Sequence, residues 1–314
     1  MIGYILRRLV ALGLTLLAAA VVIFVVLEIL PGDPAAVTLG LNAAPEALAA
    51  LHAEMGLDKP AVLRFFIWLG GLVTGDLGQS YTYRVPVLQL IAERIAVTLP
   101  LALMAIALAT AIGIPLGMLA ASRHGRLADA GVMAFAQAGL AIPNFWFGLL
   151  LVLVFAVGLG WLPAGGFPGW QTGIGVSLKA LLMPALALAL PQAAIIARVT
   201  RSSMLDTLQE DFVRTARAKG LSEGTTMRRH ALRNALIPVV TILGLQFSVL
   251  IAGAIIIENV FALPGLGRLV FQAIAQHDLI VVKDLVMLFA GLAIVINFAV
   301  ELLYGLIDPR LRLS

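Results

Sequence analysis

A chain of 314 residues in which 61% are hydrophobic and only 12% charged, with a mean hydropathy of +1.04, is excluded from the ordinary soluble class. It has no cysteine, which removes disulfide frameworks and thiolate metal sites, and its 21 basic residues against 17 acidic ones carry too small a surplus for a nucleic-acid binder. The composition is that of an all-α integral membrane protein with several crossings.

In chain order, Arg7 and Arg8 precede an apolar run over 9–30, interrupted only by Glu28. At about 1.5 Å per residue the run reaches roughly 33 Å, enough to cross a bilayer. A cleavable leader has the same charge order, but this run is too long and lacks a small-x-small site, so it reads as an anchor. Pro31-Gly32-Asp33-Pro34 ends it and opens a polar interval to residue 96, with weakly amphipathic segments at 45–55 and 60–73. The apolar segment 65–75, FFIWLGGLVTG, is too short to span and suits an interfacial helix or one packed under a loop.

A second span is expected over 97–121, with Gly113-x-x-x-Gly117 inviting close approach of another helix. Residues 122–129 make a short basic turn. A third span covers 130–159 around Pro143, with Trp146 and Trp161 nearer the interfaces. A turn-rich loop over 162–173 leads to a fourth span over 178–197, where Pro184 and Pro191 predict kinks. The fifth and sixth spans are expected over 237–259 and 285–307.

Between the fourth and fifth spans lies the only long polar interval flanked on both sides by spanning segments, residues 198–238. Asp211 is placed as an N-cap, Phe212 to Lys219 as a helix of about two turns, and Gly220 as the residue free to turn left-handed after it. Ser222 then caps a second helix running to the region before Pro238. Glu210 and Asp211 at the start and Lys219 at the end follow the helix dipole. A basic helix resting on anionic lipid is the plainer reading, but Glu210, Asp211 and Glu223 among the arginines favour a docking surface.

The run DFVRTARAKGL, continued by RRHALRNALIP, resembles the cytoplasmic coupling loop of permease subunits of ABC importers, closest to the dipeptide, oligopeptide and nickel branch. That wider family carries a Glu-Ala-Ala triplet, a glycine six residues after the Glu, and an Ile-x-Leu-Pro segment beginning ten residues after the glycine. Anchored on Gly220, the triplet falls on Arg214, Thr215 and Ala216 and the second segment on His230, Ala231, Leu232 and Arg233; Ala216, Gly220 and Leu232 fit, whereas Arg214 and Arg233 depart. The segments GDLGQSYTYRVPV and ENVFALPGLGRLVFQAIAQHD resemble outer regions of the same branch, and the closing Asp308-Pro309-Arg310 resembles its terminus.

The resemblance implies one permease subunit that pairs with a second, homologous permease subunit as a heterodimer, binds two cytoplasmic ABC ATPase subunits, and receives solute from an extracytoplasmic substrate-binding protein. ATP and Mg would sit in the ATPase partners. The coupling residues would be Asp211, Phe212, Arg214, Thr215, Ala216, Arg217, Lys219, Gly220 and Leu221. Dipeptides, oligopeptides, nickel chelates and glutathione are all solutes within its range, and the location implied is a bacterial or archaeal cytoplasmic membrane.

Six spans place both termini on one side. The segments 1–8, 122–129, 198–238 and 308–314 hold 14 of the 21 basic residues, which puts both termini and the coupling loop in the cytoplasm. The chain then divides into a tail and first span (1–30), a small extracytoplasmic subdomain (31–96), and a five-helix permease core (97–314). A stand-alone secondary transporter or channel is the alternative; internal inverted repeats would mark it, and none is visible, although the prolines keep broken helices open.

No enzyme chemistry is written in the chain. Lys59, Lys179, Lys219 and Lys283 are followed by Pro, Ala, Gly and Asp, so no G-x-x-x-x-G-K-[ST] phosphate cradle exists, and His52, His124, His230 and His277 show no metal-ligand spacing. Asn297, Glu301 and Tyr304 form one stripe on the sixth span, as a pathway wall or as interhelical hydrogen bonding. By the resemblance Glu258 and Asp278 would stand near an external mouth; the other reading makes them solvated loop carboxylates.

Overall fold

The structure is a computed structural model that describes residues 2–29, 34–39 and 44–307. Its helices in chain order are α1 Ile2–Ile29, α2 Pro34–Leu39, α3 Pro45–Met55, α4 Ala61–Thr74, α5 Val87–Ser122, α6 Leu127–Ala141, α7 Asn144–Leu151, α8 Ile174–Leu208, α9 Asp211–Ala218, α10 Glu223–Thr226, α11 Leu232–Val260, α12 Leu266–Ala275 and α13 Leu279–Ile307. A π-helical stretch, Val152–Gly158, continues α7, and another, Met227–Ala231, joins α10 to α11. Among the described residues there is no sheet, only an isolated antiparallel bridge between Gln79 and Pro86.

Five helical stretches are long and apolar enough to cross a membrane: Leu6–Ile29, Val87–Ser122, Ile174–Leu208, Gly224–Val260 and Leu279–Leu302. A sixth arises if Leu127–Ala141 and Asn144–Gly158 form one span, bent by 100°. The third expected span is therefore not a straight rod. Ile142 leaves the helix with φ −81° and ψ 122°, the extended conformation that a following proline imposes.

Three other expected boundaries move. The second span begins at Val87 rather than residue 97, because the polar Gln89 and Glu93 lie on exposed positions, and Arg94 on a half-buried one, of a helix already under way. The fourth runs on to Leu208, and α8 passes through Pro184 and Pro191 without a break. The helix begun after Ser222 does not stop before Pro238; it continues through it to Val260. Proline removes a hydrogen bond at each such point, and packing of these helices against neighbours holds the freed groups in place.

The chain forms two compact units, Met1–Thr98 with Pro264–Ser314, and Leu99–Leu263. In the second, α8 is the central helix, with α6, α7 and α11 packed on it. Glycines set the spacing. A Cβ on Gly113 would meet the Ala193 carbonyl oxygen and Ile196 Cβ at 2.8 Å, and one on Gly117 would meet Thr200 Cβ at 2.5 Å and the Ala197 carbonyl oxygen at 2.6 Å. The expected close packing at this pair is thus realised between α5 and α8. Gly166 N–H donates to the Phe261 carbonyl at 2.8 Å, pinning the 162–173 loop to the end of α11.

In the first unit α1 lies antiparallel to α13, and α4 packs across α1. The short apolar helix foreseen at 65–75 is buried at Trp68, which stacks on Phe24 at 6.1 Å and donates from Nε1 to Asp284 Oδ1 at 2.6 Å. Phe65 meets Phe24 edge-on at 5.3 Å. A second cluster joins Val87 and Leu90 to Leu266, Leu269, Val281 and Leu285, while Thr98 Oγ1 accepts the Leu266 N–H at 2.8 Å at the start of α12. The Pro31-Gly32-Asp33 turn and the 308–314 tail lie outside the described residues.

Candidate functional site: the helix between α8 and α11

Two residues, Gln209 and Glu210, separate α8 from α9. Glu210 is extended (φ −67°, ψ 147°), so it is the N-cap, and Asp211 is the first helical residue; the expected cap is corrected by one position. The Asp211 carboxylate still stands in the first turn, where it opposes the unpaired N–H dipoles. Thr215 Oγ1 donates to the Asp211 carbonyl at 2.9 Å, and Arg214 Nη1 lies 3.4 Å from Asp211 Oδ1 on the exposed face.

The end of α9 is closed as the sequence predicts. Gly220 takes φ +84°; its N–H donates to the Arg217 carbonyl at 2.9 Å and the Leu221 N–H to the Ala216 carbonyl at 3.3 Å. These paired reverse bonds satisfy carbonyls that a bare helix end leaves open. Nothing stands within 4 Å of where a Gly220 Cβ would lie, so glycine is needed there for the backbone angle and not for space. Ser222 then starts α10, its Oγ accepting from the Thr225 N–H at 3.4 Å and donating to Thr225 Oγ1 at 2.9 Å.

The helix has two faces. Val213 and Ala216 are buried, while Asp211, Phe212, Arg214, Thr215, Arg217 and Lys219 are exposed, as is Leu221 just beyond. An apolar phenyl ring standing 42% exposed beside three cations is a surface suited to a groove that accepts a ring and presents carboxylates. The anchored face joins the knob to its own chain, and short connections lead to α8 on one side and α10 on the other.

The remaining predicted residues divide between the two units, Glu258 in the second and Asp278, Asn297 and Glu301 in the first. Glu258, in the last turn of α11, and Asp278, just before α13, are completely buried, which corrects the reading of both as solvated loop carboxylates. Asp278 Oδ2 accepts from Ser80 Oγ at 2.5 Å and from the Thr82 N–H at 3.1 Å, fixing the 78–87 turn. Burial in that turn holds the Tyr81 phenol above its ordinary pKa, and the Asp278 carboxylate adds to the effect. Asn297 is exposed on α13, about 28 Å of helix rise from Asp278. Glu301 pairs with Arg8 Nη1 at 2.5 Å, tying α13 to α1. The side chain of Tyr304 lies outside the described residues.

One cluster escaped the sequence reading. Asp129 Oδ1 and Oδ2 accept from Arg201 Nε at 2.5 Å and Nη2 at 2.8 Å, Oδ2 also accepts the Gly125 N–H at 3.0 Å, and His124 Nδ1 lies within 3.0 Å of both partners. This fork clamps the start of α6 to α8 two turns before the knob. The signal available in the sequence was an acidic residue in the first turn of an otherwise apolar helix, which needs a partner. No group of residues suited to holding a metal ion occurs among the described residues.

Residues 113–313 match the family described as binding-protein-dependent transport system inner membrane component, and residues 1–102 match the description of its N-terminal region. A protein of Brucella abortus (strain 2308), provisionally named a peptide transport system permease protein, is 43% identical over 99% of both chains. The glutathione transport system permease protein GsiC of Salmonella choleraesuis (strain SC-B67) is 41% identical over 99% of both. An inward-facing crystal form of the MetNI methionine ABC transporter shares the fold, with a TM-score of 0.58 at 21% identity over 70% of this chain and 97% of that one. The chain belongs to the inner membrane components of binding-protein-dependent transport systems, the permease subunits of ABC importers.

Proposed function

We propose that this chain is one of two related permease subunits in an importer of peptides or chemically similar small solutes, working with two ATPase subunits and an extracytoplasmic binding protein. The observation that carries the mechanics is α9, a capped two-turn helix anchored by Val213 and Ala216 and exposed along Asp211, Phe212, Arg214, Thr215, Arg217 and Lys219. The solute class is supported by the names of relatives more than 40% identical along the whole chain.

In this reading ATP and Mg sit in the ATPase partners, and closure of those partners loads α9. The load enters α8 through two residues and α11 through α10 and its π turn, and these two helices share a packed seam of Ala189, Ala193, Ile196 and Val239. The pair then moves as a unit, shifting the pathway between inward and outward access. In this reading Leu127–Gly158 counts as one of six crossings, and the distribution of basic residues assigns both termini and residues 198–238 to the cytoplasm of a bacterial or archaeal cell. Residues 31–96 form the extracytoplasmic subdomain and 97–314 the permease core. Glu258 and Asp278 serve as buried braces near the outer mouth, while Glu301 belongs to the α1–α13 seam and Asn297, exposed on α13, is left for the pathway wall.

The absence of cysteine makes the test direct. In permease stripped of its ATPase partners, a single cysteine placed at Thr215 should resist a membrane-impermeant maleimide in right-side-out vesicles and react in inverted ones, and docked ATPase subunits should protect it. Purified assembly should hydrolyse ATP faster with solute-loaded binding protein and take up peptide into vesicles. Labelling from outside, or solute movement by the chain without an ATP-hydrolysing companion, would overturn the reading.

A further inference from the structure

The first unit holds a cleft of about 440 Å³, within the usual range for small-ligand sites. Phe24 and Glu28 of α1, Arg64 and Trp68 of α4, Tyr81 and Lys283 line it, with Lys59 at the side. Its height is set by helix ends. Glu28 is the next-to-last residue of the apolar stretch Leu6–Ile29, and Lys283 stands in the first turn of the stretch Leu279–Leu302. The ends of two antiparallel stretches of this length mark where hydrocarbon gives way to headgroups.

The charges in the cleft are unevenly used. Glu28 is paired with Arg64, Asp76 Oδ1 accepts the Gly78 N–H at 3.2 Å, and Asp284 Oδ1 accepts the Trp68 N–H while its Oδ2 is buried without a hydrogen-bond partner. The Lys283 ammonium stands 4.9 Å from the centre of the Trp68 ring and 5.4 Å from that of Phe24, with no carboxylate within ion-pair distance among the described residues. Lys59 likewise has none, and Arg64 Nε is buried without a hydrogen-bond partner. Ammonium and guanidinium groups only donate, so the missing ligand is an acceptor with negative charge. Beside the cleft, Val25, Val26 and Ile29 of α1 and Phe66 and Ile67 of α4 are exposed apolar side chains.

We propose that the cleft seats the phosphodiester of one anionic glycerophospholipid, with Lys59, Arg64 and Lys283 donating to its oxygens and its acyl chains lying along the exposed apolar residues of α1 and α4. The site is independent of which solute the transporter carries; with the topology proposed above it faces the outer leaflet. Basic pockets between membrane helices commonly take such headgroups. Here the aromatic wall adds a surface against which Lys283 is held ready.

The test is native mass spectrometry of the whole transporter released from nanodiscs containing phosphatidylglycerol and phosphatidylcholine. One phosphatidylglycerol per chain should survive delipidation. In a Lys59→Gln/Lys283→Gln variant its retention should fall about tenfold or more, while Lys179→Gln, on the distant α8, should leave it unchanged. Should the double variant fail to assemble, the wild-type assembly decides alone: added inorganic phosphate or glycerol phosphate should not displace the lipid. Displacement by either would show a site for a free anion, and equal retention of phosphatidylcholine would show no charge selection; each result overturns the proposal.

Discussion

Replacing Gly117 by alanine tests the packing on which the second unit depends. The added methyl would stand 2.5 Å from Thr200 Cβ and 2.6 Å from the Ala197 carbonyl oxygen, against a comfortable carbon contact of about 3.5 Å or more, so α5 and α8 must part by about 1 Å. One of the two obstacles is backbone and cannot rotate away. Overpacking of this kind costs about 1–3 kcal/mol, and the upper end applies here. Alanine recovers about 1 kcal/mol of helix propensity, leaving a net loss of about 2 kcal/mol.

Gly131 on α6 supplies the control. A Cβ there meets nothing within 4 Å, so Gly131→Ala keeps the propensity gain of about 1 kcal/mol without any clash. Thermal unfolding of the purified protein in detergent should move in opposite directions for the two variants, with Gly139→Ala, whose methyl would come 3.2 Å from Ala194 Cβ, in between. Equal midpoints for Gly117→Ala and Gly131→Ala would refute the claim that these glycines set the distance between α5 and α8.

Gly220→Val should cost about 1–2 kcal/mol through its left-handed backbone alone, lowering transport per inserted molecule; unchanged uptake would mean that the end of α9 is not what shapes the knob. Arg214→Glu and Arg217→Glu should each weaken retention of the ATPase subunits on affinity-purified permease, most at low salt and less as salt is raised, and an undisturbed complex would turn those side chains away from the partner. Asp129→Asn should destabilise the second unit by about 3 kcal/mol, since it strands Arg201 at a largely buried fork; pairing it with Arg201→Gln should restore part of the loss, and a purely additive melting shift would dissolve the fork as a unit.

Local signals carried the reading furthest. Gly220 and Ser222 announce their helix ends within a few residues, and the Gly113–Gly117 spacing announces a close neighbour, because each reports a backbone requirement satisfied nearby. The family resemblance pointed to the short helix α9 but not to its faces; Val213 and Ala216 became the anchored side only in three dimensions. Partners distant in sequence were invisible. Asp129 and Arg201 are 72 positions apart, and Trp68 and Asp284 are 216 apart. Proline has different outcomes, since Pro143, expected inside a span, follows the end of a helix, whereas Pro184 and Pro191 lie within a continuous one. What decides is the packing around each one, and α8 is the most enclosed helix of the set.

The 100° elbow at Ile142-Pro143 constrains what surrounds this chain once it is assembled. A corner of that size stops the regular ladder, and the first amides of a new helical arm lack partners within that arm. Hydrocarbon offers such groups no partner. Yet Ala141, Pro143, Phe145 and Trp146 lie open on this chain alone. With the two arms taken as one crossing, as proposed above, the elbow has to be roofed in the working transporter, by a neighbouring polypeptide or by a column of water, and the bilayer's oily interior is the one medium that cannot touch it.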